Sequence, residues 1–369
     1  MTPAPSRDAA SAGAPRPASD EPPALSVDDL RAYYLAHYFG VERAVRAVDG
    51  VSLAVRRNEI YGLAGESSCG KTTFLKTIAA AVRPPLTVVG GSIRYDFLDR
   101  DIYALGPAEL SAIRWKRLSY ITQGSMNVLN PVRRVRQSFV DFAYRHMKLN
   151  RRAFFAEVER HLQRLRLAAN VLDAYPHELS GGMKQRVTIA LATICRPEFI
   201  IADEPTTALD VIVQKDVLAM IREAQRQIGS SMLFVTHDMT VHANIADRLG
   251  VMYAGRLVEE APTADIFRKP AHPYTAHLVA SLPRIGEQSR KESLSGAPPS
   301  LADPPSGCRF HPRCPLAMDV CREAPPPLVP LAPDHRVACY AASPAAKPSA
   351  TAGRAAGAAP RAQPEGLAQ

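Results

Sequence analysis

Long hydrophobic runs are missing from this sequence of 369 residues. A helix that crosses a bilayer needs roughly 20 consecutive apolar residues, and no stretch here reaches about 18. The first 24 residues (MTPAPSRDAASAGAPRPASDEPPA) also lack the apolar core of a secretory signal peptide. We therefore expect a protein of the cytoplasm with no membrane span of its own.

A concentrated basic surface is missing as well. The net charge is +9, but the 45 Lys and Arg residues are scattered along the chain. Nucleic-acid binding would require a basic stripe with interleaved aromatic residues. The excess charge indicates a solvated face, or one that lies near anionic lipid headgroups. No nucleic-acid partner is predicted, and salt-sensitive binding of DNA or RNA would contradict this.

Closely paired cysteines are scarce. Cys69 and Cys195 are isolated, whereas Cys308, Cys314, Cys321 and Cys339 share one short segment. Their spacing contains no C-x₂-C pair of the common zinc sites and fits no ferredoxin pattern. Disulfides are not expected in a reducing compartment. Four thiols in a segment with little apolar content indicate a metal that substitutes for a core, and the spacing leaves zinc, an iron–sulfur cluster and free thiols open.

Residues 60–76 (IYGLAGESSCGKTTFLK) contain the most informative motif, a G-x-x-x-x-G-K-[ST] match from Gly65 to Thr72. Glycines let such a loop turn its N–H groups towards phosphate oxygens, and the following helix adds its positive end. Lys71 supplies a charge for the β- and γ-phosphates, and Thr72 a hydroxyl for Mg²⁺. The predicted ATP-binding residues of this loop are Gly65, Ser67, Ser68, Cys69, Gly70, Lys71, Thr72 and Thr73.

Two further apolar runs end in polar residues. FIIAD (199–203) is followed by Glu204, and SMLFVTHD (231–238) contains His237. Strands that alternate with helices predict a mostly parallel, doubly wound sheet. Ligands bind at the carboxyl ends of such strands. Lys71, Asp203, Glu204 and His237 are therefore expected in a single site.

The chain divides into a large α/β domain with tails. We predict a disordered tail at 1–24, a nucleotide-binding domain at 25–282, a linker and small Cys-rich domain at 283–340, and a disordered tail at 341–369. Within the large domain, alternating residues after Leu25 predict an antiparallel β-subdomain with a turn near Asp49–Gly50. Apolar residues at three- and four-residue spacing predict two or three helices over 135–172, inside a helical subdomain at about 124–180.

The stretch LSGGMKQR (179–186) resembles the signature sequence of ATP-binding cassette (ABC) ATPases. A serine hydroxyl, two glycines and a helix N-terminus form a second anion site. The resemblance covers roughly 25–282 and implies an ABC-type P-loop NTPase. It departs from the family at Ser68, where a second internal glycine is usual. For the nucleotide, the resemblance implies that Tyr34 (or Tyr33) stacks on adenine and that Ser180, Gly181 and Gly182 contact ATP. For the chemistry, it implies that Thr72, Gln123 and Asp203 hold Mg²⁺, that Glu204 is the general base and that His237 contacts the γ-phosphate. It also implies that Ala208–Asp210 form the D-loop, a segment at the interface between two such domains.

The C-terminal third resembles the oligopeptide/dipeptide/nickel importer ATPases, through HPYT (272–275) and the pattern G-C-x-F-x-P-R-C-P (307–315). This implies a subunit on the cytoplasmic face of the inner membrane that powers solute import by ATP hydrolysis. The implied partners are a second, non-identical ABC ATPase subunit, two transmembrane permease subunits that dock at 125–131, and an extracytoplasmic solute-binding protein. Peptides are the predicted solute, and nickel or oligosaccharides are the alternative solutes. The alternative function is that of a soluble ABC ATPase that takes no part in transport. Relatives of this group carry a [4Fe–4S] cluster, which favours iron–sulfur over zinc at the four cysteines.

Overall fold

The computed structural model describes residues 21–38, 41–122, 128–207, 209–282, 294 and 296–343. Most of both predicted tails and most of the predicted linker lie outside these residues. The strands are β1 (Leu25–Tyr38), β2 (Val41–Val55), β3 (Ile60–Ala64), β4 (Leu86–Tyr95), β5 (Leu118–Ile121), β6 (Phe199–Asp203), β7 (Ser231–Val235), β8 (Arg248–Tyr253), β9 (Arg256–Pro262), β10 (Val329–Ala332) and β11 (His335–Val337).

The helices surround two sheets and include several short 3₁₀ turns. The α-helices are α1 (Lys71–Ile78), α2 (Pro107–Ile113), α3 (Val135–Phe142), α4 (Arg151–Arg164), α5 (Gly181–Thr193), α6 (Val211–Ile228), α7 (Met239–Ile245), α8 (Thr263–Arg268), α9 (Pro273–Ala280) and α10 (Val320–Glu323). The 3₁₀ turns are Ile102–Ala104, Tyr144–His146, Ala169–Asp173, Pro176–Glu178 and His311–Arg313. No helix in these described ranges is long and apolar enough to span a bilayer.

The main sheet has eight strands in the order β10-β11-β9-β8-β3-β7-β6-β5. Its central strands β8, β3, β7, β6 and β5 are parallel, whereas β9, β11 and β10 join antiparallel. Strands β3, β6 and β7 are buried along their whole length, which explains why they read as continuous apolar runs. The predicted α/β class with a mostly parallel sheet is confirmed.

A second, three-stranded antiparallel sheet has the order β2-β1-β4. It contains the predicted antiparallel β-subdomain, but the turn predicted near Asp49–Gly50 is wrong. Both residues lie inside β2, where Arg31 pairs with Asp49 and Leu30 pairs with Val51. Gly50 is thus left unpaired as a bulge with φ 80°, a conformation that glycine adopts at little cost. The bulge accompanies a buried Asp49 carboxylate.

The predicted helical insertion contains α3, α4 and two 3₁₀ turns. Its apolar side chains share one core with α5, α6 and the face of the main sheet formed by Ile200, Met232 and Phe234. Phe139, Phe154 and other buried residues recur at the spacing that predicted the helices. The insertion therefore packs on α5, α6 and one face of the main sheet, and its outer limits stay a prediction.

The C-terminal segment adds to the main sheet. Strand β11 pairs with β9 through Arg336 opposite Glu260 and Val337 opposite Glu259. An ion pair between Arg336 and Glu260 links the same strands. A hydrogen bond also links them, since His335 Nε2 lies 2.8 Å from the buried Glu259 Oε1. The residues around the four clustered cysteines are therefore held to the nucleotide-binding domain by backbone pairing and by charge. The predicted domain boundary at 283 stays a prediction.

Candidate active site

The loop Gly65–Gly70 joins the carboxyl end of β3 to the start of α1. Two glycines in it have positive φ, 149° at Gly65 and 109° at Gly70. A Cβ atom would lie 2.3 Å from the Met252 carbonyl oxygen at Gly65, and 2.0 Å from the Ala47 carbonyl oxygen at Gly70. Neither position can hold any side chain, because backbone packs directly against backbone. The sequence motif is thus accounted for by close packing as well as by loop curvature.

Ser68 occupies the third position of this loop with positive φ, at 64°. This is the position where the ABC pattern usually has glycine. For a residue with a Cβ atom, the left-handed region costs roughly 1–2 kcal/mol. The departure seen in the sequence therefore places backbone strain in the phosphate loop, and the exposed side chain meets no crowding that would forbid it.

The Lys71 ammonium points into the phosphate loop. Lys71 is buried, and its ammonium donates to the carbonyl oxygens of Gly65 (2.6 Å) and Glu66 (2.8 Å). Thr72 is exposed, whereas Thr73 is buried with its Oγ1 3.2 Å from the Tyr34 hydroxyl. Tyr34 thus lies beside the start of α1.

The fallback Tyr33 lies elsewhere. Its hydroxyl donates to Asp49, which also accepts from Arg256 and Arg309. Because successive strand residues point to opposite faces, only one of the two tyrosines can face α1. Of these two candidates, Tyr34 alone is beside the phosphate loop.

Four predicted site residues come together at one edge of the main sheet. Lys71 follows β3, Asp203 ends β6 with Glu204 next to it, and His237 comes two residues after β7. Strands β3, β7 and β6 are neighbours in the sheet. The parallel pairing places all three carboxyl ends at the same edge, as the alternation of strands and helices predicted.

Asp203 is almost fully buried, and its two carboxylate oxygens differ. Oδ2 accepts from the Tyr120 hydroxyl at 3.3 Å, but Oδ1 is buried without a hydrogen-bond partner among the described residues. Burial raises the pKa of Asp203 to about 6, and the neighbouring Glu204 adds to the rise. A buried oxygen without a partner is costly. A Mg²⁺ ion prefers such an oxygen ligand, so the Asp203 carboxylate fits the predicted magnesium site.

Glu204 sits in a strained and well-contacted position. Its φ is 47°, and its backbone N–H donates to the Val235 carbonyl oxygen at 2.8 Å. Oε1 lies 3.1 Å from His237 Nδ1, and Oε2 accepts from Thr207 Oγ1 at 2.9 Å. Burial alone would raise the pKa of Glu204, but the contacts with His237 and Thr207, together with the charge of Lys71, outweigh it and hold the pKa below its ordinary value. The carboxylate is therefore ionised and aimed by two partners, as a group that polarises water needs to be.

Sequence reasoning missed two residues of this edge. Tyr120 lies on β5 next to Asp203, and Thr207 lies three residues after Glu204. The spacing of Thr207 was available as a signal, since side chains three residues apart meet in a tight turn. Tyr120 had no comparable signal, because its contact depends on the pairing of β5 with β6.

The residues of the signature stretch lie in another part of the fold. Ser180 caps α5 by accepting from the Met183 N–H at 3.3 Å, and Gly181 and Gly182 begin that helix. Helix α5 packs against α3, α4, α6 and β5. Asp210 likewise caps α6, accepting from the N–H groups of Ile212 (3.1 Å) and Val213 (2.9 Å). Gln123 and Ala208, two further predicted positions, lie outside the described residues.

The four clustered cysteines share one small region. The Cys308 N–H donates to the Cys321 carbonyl oxygen at 2.8 Å, and both side chains pack with Tyr340. Burial raises the pKa of Cys308 to about 11, and the other three thiols add to the rise. However, no three His, Cys, Asp or Glu side chains in the described ranges form a group that could hold a metal ion. The side chains, as they are arranged here, therefore do not form a site for the predicted [4Fe–4S] cluster. Cys195 packs beside the helical core.

A phosphate loop, an orphaned acidic oxygen and an oriented carboxylate on a parallel sheet define a P-loop nucleotide-binding cassette. Two family models match the sequence: ABC transporter over residues 48–207, and oligopeptide/dipeptide transporter, C-terminal region, over residues 258–321. The fold is similar to the solved dimeric structure of MJ0796, a bacterial ABC transporter cassette, with a TM-score of 0.56 at 22% sequence identity. The similarity covers 65% of this chain and 98% of that chain. The cbiO1 subunit from Clostridium perfringens aligns with a TM-score of 0.55 at 24% identity, covering 68% and 92%. These likenesses show the fold.

Curated relatives extend the similarity over most of the chain. The dipeptide transport ATP-binding protein DppD of Caldanaerobacter subterraneus is 38% identical over 319 residues, which is 86% of this chain and 96% of the relative. The oligopeptide transport ATP-binding protein OppD of Salmonella typhimurium is 37% identical over 334 residues, covering 89% and 95%. The chain belongs to the ABC transporter family of ATPases, in the group that carries the oligopeptide/dipeptide transporter C-terminal region.

Proposed function

We propose that this chain is the ATP-hydrolysing subunit of a membrane importer for dipeptides or oligopeptides. The observation that carries the ATPase role is the meeting of Lys71, Asp203, Glu204 and His237 at one sheet edge. The match of residues 258–321 to the oligopeptide/dipeptide transporter C-terminal region supports the transport role. Relatives named for dipeptide and oligopeptide transport support peptides as the solute.

The roles of the residues follow from their chemistry. Phosphoryl transfer to water depends on positioning and on stabilisation of charge. The loop from Gly65 to Thr73 binds the phosphates with Lys71, and Tyr34 stacks on adenine. Thr72, Asp203 and Gln123 hold Mg²⁺, which neutralises phosphate charge when bound. Glu204 polarises the attacking water, and His237 contacts the γ-phosphate.

The general-base role is tested by Glu204→Gln. This variant keeps the size of the side chain but removes its charge, so we expect ATP binding to persist while turnover stops. Glu198→Gln is the matched control, because Glu198 directly precedes β6 at the opposite end and pairs with the exposed Arg117. ATP hydrolysis by Glu204→Gln at the parent rate would show that another group activates the water.

The complete site is shared between two cassettes in this proposal. Ser180, Gly181, Gly182 and Asp210 face the nucleotide of a second ABC ATPase subunit, which is non-identical. Support comes from their position on helix ends apart from the chain's own phosphate loop. Next to Asp210, Val211 and Ile212 are apolar yet 80% and 78% exposed. We expect the rate of ATP hydrolysis per subunit to rise with protein concentration; fast, concentration-independent turnover by a monomer would contradict the shared site.

The proposed membrane partners are two transmembrane permease subunits, served by an extracytoplasmic solute-binding protein. The chain would lie on the cytoplasmic face of the membrane and meet a permease at 125–131, of which 125–127 lie outside the described residues. Purification from membranes together with two multispanning subunits would support this, whereas a complex free of such subunits would favour a soluble non-transport ATPase. Uptake of labelled dipeptides, nickel or oligosaccharides by the complex would identify the solute.

The cysteine segment carries a separate proposal. A [4Fe–4S] cluster held by Cys308, Cys314, Cys321 and Cys339 is supported by the thiolate chemistry of the donor set and by the shared region of the four residues. Side chains would have to reorient to bind it, since their arrangement here forms no metal group. Anaerobic purification with iron, sulfide and zinc analysis tests it, and stoichiometric zinc without iron would favour the zinc alternative.

A further inference from the structure

Glu66, the second residue of the phosphate loop, has a partner for each of its polar groups. Its carboxylate accepts two hydrogen bonds from Arg313, Nη1 to Oε2 at 2.9 Å and Nη2 to Oε1 at 3.2 Å. Its backbone N–H donates to the Tyr274 hydroxyl at 2.8 Å. Its carbonyl oxygen accepts from the Lys71 ammonium at 2.8 Å. The orientation of this one loop residue is thus determined from three sides.

Two of these three contacts come from the C-terminal part of the chain. Tyr274 lies on α9, and Arg313 ends the 3₁₀ turn His311–Arg313, 247 residues away from Glu66. Tyr274 is fully buried and packs edge to face against Tyr253, with 4.6 Å between ring centroids. Arg313 also donates to the Tyr253 hydroxyl at 3.2 Å. The contacts therefore rest on a packed aromatic cluster, which gives them a defined geometry.

The Arg313–Glu66 pair can determine where the Glu66 side chain lies and how it is oriented. A guanidinium that donates two parallel hydrogen bonds to one carboxylate constrains both its distance and its angle. The Arg313 side chain is only 7% exposed, so solvent screens the pair weakly. Because the Glu66 carbonyl also holds the Lys71 ammonium, a shift of Glu66 displaces the charge that the loop offers to phosphate.

We propose that Arg313 is a positioning residue of the nucleotide site, which holds the phosphate loop and Lys71 in their binding geometry through Glu66. The C-terminal region is then part of the machinery for ATP binding in addition to any metal or partner that it binds. This inference rests on the phosphate-binding role proposed above for Gly65–Thr72.

The test is a double-mutant cycle on ATP affinity in the full-length protein. Arg313→Gln and Glu66→Gln each remove one side of the pair. We expect each to raise the Kd for MgATP roughly tenfold, because the loop and Lys71 then lose the paired hydrogen bonds that orient Glu66. The double variant should also weaken binding about tenfold, rather than the hundredfold expected of independent sites. Arg313→Lys keeps the charge without the fork and should give an intermediate Kd.

Arg309→Gln is the matched control. The Arg309 side chain is 4% exposed, against 7% for Arg313. Arg309 flanks Cys308 as Arg313 flanks Cys314, and it pairs with Asp49 instead of the phosphate loop. We expect it to lower the melting temperature and leave the Kd for MgATP unchanged. A parental Kd for Arg313→Gln, or equal losses for Arg309→Gln and Arg313→Gln, would overturn the inference. Lys71→Ala tests the underlying role separately: if it binds MgATP normally, the phosphate-loop proposal itself fails.

Discussion

The buried carboxylate of Asp203 should destabilise the protein when no cation is bound to it. Its Oδ1 has no partner in the described part of the chain, and burial raises the pKa of Asp203 from 3.8 to about 6. A pKa difference of one corresponds to about 1.4 kcal/mol of free energy, and the rise from 3.8 to about 6 is roughly twice as large. Ionised Asp203 therefore lowers the free energy of unfolding by up to about 3 kcal/mol at pH 7.5. The folded pKa lies above the unfolded one. The cost is therefore fully present above about pH 6 and fades as the pH falls towards 4.

The perturbation that reveals this cost is Asp203→Asn, which removes the charge and keeps the shape. With Mg²⁺ chelated at pH 7.5, we expect the variant to melt on the order of 5 °C above the parent, since about 3 kcal/mol shifts a large domain by that amount. At pH 5 the gain should be roughly half as large, because folded Asp203 is then largely protonated. In the parent, MgATP should raise the melting temperature, and in the variant it should do so much less.

Differential scanning fluorimetry at the two pH values gives the measurement. Asp99→Asn is the matched control, because the Asp99 side chain is 92% exposed and its removal should change little. Equal melting temperatures of Asp203→Asn and the parent in chelator at pH 7.5 would refute the reasoning. So would a gain that does not shrink at pH 5.

Two further predictions concern the phosphate loop. Ser68→Gly should stabilise the protein by up to about 1 kcal/mol in urea unfolding, because φ at this position is 64° and glycine adopts this angle without strain. Ser67→Gly is the control, since Ser67 lies next to Ser68 but does not have a positive φ, and it should not stabilise the protein. Equal effects of the two substitutions would argue against backbone strain at Ser68. Gly70→Ala should abolish ATP binding or folding, because its Cβ atom would lie 2.0 Å from the Ala47 carbonyl oxygen. Gly90→Ala is the control and should be tolerated, since its Cβ atom would meet nothing nearer than 3.9 Å. A Gly70→Ala protein that folds and hydrolyses ATP would contradict this packing.

Local patterns predicted much of the fold. FIIAD at 199–203 is a strand with those bounds, and the region 135–172 contains the predicted helices, Val135–Phe142 and Arg151–Arg164. Both signals depend on residues close in sequence, namely a continuous apolar run and a 3.6-residue period. The phosphate loop was visible for the same reason, since its function needs glycines and a lysine at fixed spacing.

Where a residue's partner is distant in sequence, the local pattern misled or was silent. Asp49–Gly50 has the composition of a turn, yet it is a bulge inside β2, because Asp49 is drawn into contacts with Tyr33, Arg256 and Arg309. The four cysteines are close in sequence, but in the described part of the chain their side chains are not arranged as a metal-binding group. Turn chemistry and spacing describe what a segment can do alone, and packing selects among those options.

The sequence by itself determined the class of protein, the order of its strands and helices, and the residues proposed to contact phosphate, Mg²⁺ and water. The tertiary structure alone decided that Tyr34, not Tyr33, lies beside α1, and that one oxygen of Asp203 is buried without a partner. It alone joined Arg313 to Glu66 across 247 residues. The physical reason is that short-range periodicity is written in neighbouring residues, whereas burial and ion pairing depend on which distant elements pack together.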